Sequence, residues 1–159
     1  MKIINKIVVL LLMLLNSSVF AQSASIFQHQ VSRPMDQVYG ALYKALEDEG
    51  FYVVFEADIG KNLSRFAEKW GENYNRNQLD GIRSLVFCNG WYANAVSNAD
   101  PAMLALCPLR LSLIEKKGMT TVLFARPTVI AAESPARQVL MRVENEVIDI
   151  VKKSVTEKK

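Results

Sequence analysis

Apolar and polar residues alternate along residues 25–31, SIFQHQV, the period-two pattern of a half-buried strand. Pro34 follows at a position suited to the first turn of a helix, where its missing N–H leaves no bond unmade. Met35, Val38, Tyr39, Leu42, Ala45 and Leu46 then recur at helical spacing, and Gly50 is a natural stop. FYVVFEA, residues 51–57, is β-branched and aromatic and predicts a strand with Phe51, Val53 and Phe55 on one face. Leu63, Phe66, Ala67, Trp70 and Tyr74 predict a second helical stripe. The polar stretch NRNQLDG separates it from IRSLVFC, a buried strand. Residues 91–106 predict a helix broken near Asp100-Pro101. LRLSLIE and TTVLFAR flank KKGM, where Gly118 supplies the turn of a hairpin. Ser134 and Pro135 predict the N-cap and first residue of a last helix, striped by Val139, Val143, Val147 and Ile150 with Leu140 and Val151 alongside.

The predicted order is β-α-β-α-β-α-β-β-α. A hairpin among the helices rules out a purely parallel sheet. The expected class is α+β, a mainly antiparallel sheet with helices covering one face.

The first 21 residues stand apart from this pattern. Lys2 and Lys6 precede the apolar run IVVLLLMLL, and Val19 and Ala21 occupy the −3 and −1 positions of a cleavage site. That is the layout of a secretory signal peptide, and the run is shorter than the roughly 20 residues a membrane span needs. The expected product is periplasmic or secreted, cleaved after Ala21, with no stable membrane insertion. Residues 22–159 are then one domain; no repeat or linker divides them.

Charge narrows the partners. The chain carries 19 Lys and Arg against 16 Asp and Glu, a net +3. Cleavage removes two lysines and no acid, leaving +1. A nearly neutral chain has no basic face to neutralise phosphates, so no nucleic-acid partner is expected.

Little of the remaining sequence carries chemistry. His29 is the only histidine, on a predicted strand between two glutamines, so neither a zinc set nor a catalytic triad is expected. Glu47 with Asp48, and Glu144 with Glu146, read as solvated helix-face carboxylates. No Gly-rich phosphate loop is present, and no cofactor is predicted. The two cysteines, Cys88 and Cys107, bracket a predicted helix. An even count in an exported protein favours a disulfide, and a strand–helix–strand return can bring the two ends together. Two buried thiols, or a redox pair, remain alternatives, although the Cys-x-x-Cys spacing of catalytic dithiols is absent. Trp91 and Tyr92 follow directly at a strand end opening into a helix, where pockets commonly form. Asn89, Arg110 and Arg126 are the polar groups expected around such a ligand pocket.

Several of these segments, in this order, resemble the domain of unknown function 302 family. They are EDEGFYVVFEADI, LVFCN, ADPAMLALCPLRLSL, ARPTVIA and the last helix, together spanning roughly residues 26–153. The resemblance implies a fold like the TATA-box-binding-protein class, with a curved antiparallel sheet and a long C-terminal helix across it. It also implies a homodimer. It carries no activity. The expected function is an exported small ligand-binding or protein-interaction module without catalysis. The alternative is a thiol-dependent redox or sulfur-handling protein using Cys88 and Cys107.

Overall fold

A computed structural model describes residues 25–155; the expected signal peptide and cleavage site lie outside them. Five strands form one sheet: β1 (Ile26–Val31), β2 (Tyr52–Asp58), β3 (Gly81–Cys88), β4 (Leu109–Lys116) and β5 (Met119–Ala125). Their spatial order is β1-β5-β4-β3-β2, and every neighbouring pair is antiparallel. The hairpin between β4 and β5 turns at Lys117 and Gly118, with φ of 52° and 72°. Two successive positive φ values match the right-handed twist of the flanking strands, and glycine adopts them without strain.

Two long helices close one face of this sheet: α1 (Met35–Asp48) and α6 (Arg137–Val155). Val38, Leu42 and Leu46 of α1 and Val143, Val147 and Val151 of α6 pack on Leu85, Phe87, Leu111, Leu113, Val122 and Phe124. Burial of each such side chain is worth about 1.5–3 kcal/mol, so this layer is what holds the sheet flat against the helices. The chain is therefore α+β, as its pattern predicts. The last helix starts at Arg137, later than Pro135. Ser134 still serves its entry, with its hydroxyl accepting the N–H of Ala136 and donating to Asp100 at 2.6 Å.

Two expectations about the pattern fail. The stripe from Leu63 to Tyr74 is not one helix. It is split into α2 (Ile59–Ser64), α3 (Ala67–Trp70) and a 3-10 turn at Gly71–Asn73, none with a buried residue. Gly71 has φ of 50° and breaks the run, and the aromatic rings of Phe66 and Trp70 stack on each other at 5.0 Å instead of on the core. The second failure is Phe55. A bulge shifts the β2–β3 register between Val53 and Phe55, so that Val53 lies opposite Phe87 and Phe55 opposite Val86. One extra residue reverses the alternation. Phe55 therefore leaves the face of Phe51 and is 62% exposed.

No helix among the described residues is long and apolar enough to cross a membrane.

Candidate functional site

The cysteines come together at one end of the sheet. Cys88 ends β3, and Cys107 precedes β4, after α4 (Gly90–Ala99) and a 3-10 segment at Pro101–Leu106. Phe87 pairs with Leu109, so the antiparallel register returns the chain to the place it left. Cys88 and Cys107 both line one small pocket of about 10 Å³ with Phe51, Tyr92, Leu140 and Val143. The expected bond is not formed: both are free and partly buried. Burial, and then the neighbouring Cys88, push the Cys107 thiol pKa up. A protonated thiol is a poor nucleophile. The space holds no more than about one water, so no substrate fits between the sulfurs.

The five residues expected around one pocket do not converge. Asn89 is a structural cap: its carbonyl oxygen accepts the N–H of Tyr92 at 3.1 Å, opening α4, and its amide donates to the Gly50 carbonyl at 3.1 Å. Tyr92 packs its ring on Phe51 and donates its hydroxyl to Glu146. Burial, followed by that hydrogen bond, pushes the Tyr92 pKa up to about 12. Trp91 points to solvent, 63% exposed.

Arg126 is engaged elsewhere. Its Nε–H donates to Glu144 at 2.6 Å, and the Thr128 N–H and hydroxyl donate to the other carboxylate oxygen. Thr128 belongs to α5 (Pro127–Ile130). Glu144 is 2% exposed, which corrects its assignment as a solvated carboxylate. Burial alone raises its pKa, but the hydrogen bonds from Thr128 and Arg126 outweigh it and the net shift is downward. The signal lay in the sequence: Glu144 falls on the buried stripe between Leu140, Val143 and Val147. An acid at such a position is paired.

Arg110 alone of the five stands at a site with room. Its neighbour across β3 is Val86, and alternation turns both away from α1 and α6. On this outer face a groove of about 690 Å³ runs over β1, β3, β4 and β5, with Leu106 and Ile130 lining one end. Ile26, Val86 and Leu123 form its floor; Gln28, Ser112 and Arg110 are its polar groups. Among the described residues no carboxylate and no other charged side chain lines it. The sequence suggests Arg110 beside Trp91; the parity of β4 instead puts it on the outer face, next to Val86.

His29, on β1, stacks with Phe27. Burial, and then the charge of Lys152, lower its pKa. Among the described residues no three His, Cys, Asp or Glu side chains gather as metal ligands.

The fold recurs in the crystal structure of an uncharacterized conserved protein, DUF302, from Bacillus stearothermophilus. The TM-score is 0.71 at 17% identity, covering 83% of this chain and 99% of that one. No curated protein matches this chain. The model of the family described as domain of unknown function DUF302 matches residues 27–154, so the chain belongs to that family.

Proposed function

We propose that this chain is an exported binding module whose working surface is the outer face of its sheet. What carries the proposal is the groove of about 690 Å³ on that face. Its size falls within the roughly 300–1,000 Å³ of small-molecule sites, and an apolar floor with a few polar groups is the usual make-up of such sites. Four hydrogen-bonded strands set the floor, so the site is formed before any ligand arrives. A fragment screen read by amide chemical shifts tests it. Shifts should cluster on Ile26, Val86, Arg110 and Leu123. Fragments that perturb only other surfaces would overturn the proposal.

The protein-interaction side of this function is a homodimer. It is favoured by the exposed apolar run on the edge strand β2, where Tyr52, Val54 and Phe55 are 60%, 60% and 62% exposed. Apolar side chains grouped in this way mark contact surfaces. Light scattering at micromolar concentration should give about twice the mature mass; a strict monomer would remove the dimer.

For the thiols, the small shared pocket favours a structural bridge over redox turnover. Export places them in an oxidising compartment, where adjacent thiols bond, and the lack of room for a substrate disfavours catalysis at the sulfurs.

A further inference from the structure

We infer that the groove takes an amphiphilic anion, a molecule with an extended apolar body and one carboxylate, held by Arg110. This rests on the outer face being a binding surface and adds the chemistry of what binds. The first support is the charge of the lining. A groove whose described lining is mostly apolar, with one cation and no acid, is complementary to an apolar ligand bearing a single negative charge.

The second support is the state of Arg110. Ion pairs among the described residues join Lys44 to Asp48, Arg83 to Asp36 and Arg126 to Glu144. Arg83 also lies over the Tyr39 ring at 5.1 Å. Among the described residues no hydrogen bond or ion pair engages the Arg110 guanidinium. A solvated arginine needs no partner, but Arg110 sits on β4, the middle strand of five, beside Val86 rather than at a polar rim. Its planar fork matches a carboxylate in two parallel hydrogen bonds. An apolar body lying on Ile26, Val86 and Leu123 excludes water from that contact and strengthens it.

The third support is arrangement. Arg110 lies at the start of β4, close to the end lined by Leu106 and Ile130, and Ser112, Leu123 and Gln28 form the row beyond it. A headgroup on Arg110 thus leaves an extended body the length of the groove, over Val86 and Leu123, to lie on. A neutral ligand leaves the guanidinium facing an apolar body without a counter-charge, which is the basis for discrimination.

The test uses the mature full chain, dansyl-labelled undecanoate and its uncharged methyl ester, followed by fluorescence. The acid should bind more tightly than the ester by about ten- to hundredfold, the range of a charge-assisted hydrogen bond. Arg110→Gln should abolish that difference, and Arg110→Lys should restore part of it. Because Arg110 is exposed, the variants should melt with the parent, which separates lost affinity from lost fold. Equal binding of acid and ester by the parent protein overturns the anionic ligand and leaves the binding module standing. Failure of both probes to bind, with the groove covered in a dimer whose dissociation responds to Arg110→Gln, overturns both in favour of a second copy as the occupant.

Discussion

Glu144 of α6 accepts the Nε–H of Arg126 at 2.6 Å, and through that contact and Thr128 the end of β5 is fastened to the C-terminal helix. The carboxylate is buried and the guanidinium half-exposed. Glu144→Ala strands the Thr128 donors and Arg126. It should cost about 2–4 kcal/mol, below the figure for a fully buried pair because water still reaches Arg126. Chemical denaturation of the two proteins measures it, and a loss under about 0.5 kcal/mol would show the contact to be idle.

The same group sets an acid limit. Its pKa is lowered from the ordinary value of 4.5. A carboxylate with a depressed folded-state pKa contributes stability that is complete above the unfolded value and lost as pH falls through the folded one. Melting temperature should therefore drop as pH falls below about 4, and Glu144→Gln should flatten that part of the profile. An unchanged slope would assign the acid limit to other groups.

Asn89 should behave as a cap and not as a ligand contact. Asn89→Ala removes the acceptor for the Tyr92 N–H and the donor to Gly50. It should cost about 1–2 kcal/mol and leave affinity for any ligand of the outer face unchanged. Loss of affinity without loss of stability would return Asn89 to the binding site.

Protein recovered from an oxidising compartment should be lighter than its reduced form by the mass of two hydrogens, with Cys88 and Cys107 in one linked peptide. Replacing both by alanine should lower stability by about 3 kcal/mol, the chain-entropy value for a loop of this length. Free thiols that alkylate readily in the native oxidised protein would exclude the bridge.

Phe55→Ser should weaken the proposed dimer while costing the protomer less than about 0.5 kcal/mol, because the ring has little burial to lose. Light scattering with a thermal melt separates the two effects.

The strands, α1, α6 and the β4–β5 hairpin were legible in the sequence because local pattern and tertiary burial agree there. Val38, Leu42 and Leu46 recur at helical spacing and are fully buried. Where the pattern misled, a non-local or single-residue event intervened. The stripe from Leu63 to Tyr74 has helical spacing but no surface to pack on, and Gly71 interrupts it. The bulge after Val53 depends on the pairing with β3, which no local pattern encodes. The site was half legible. Arg110 stood out as a polar group on a strand, but its face follows from the register of β4 with β3 and β5. The groove is built from residues far apart in sequence, from Ile26 to Ile130, and leaves no motif.

The irregularity between Val53 and Phe55 also bears on how the protein survives at high concentration. An aromatic strand at the margin of a sheet ordinarily seeds polymers, because its unpaired amides template the next chain. A bulge spoils that template: the spacing of donors and acceptors along β2 is interrupted in the middle of the strand. In the proposed dimer, contact at this margin would then be made by side chains rather than by a continuing ladder. An apolar rim of this kind is thereby kept from the propagating order of a fibril.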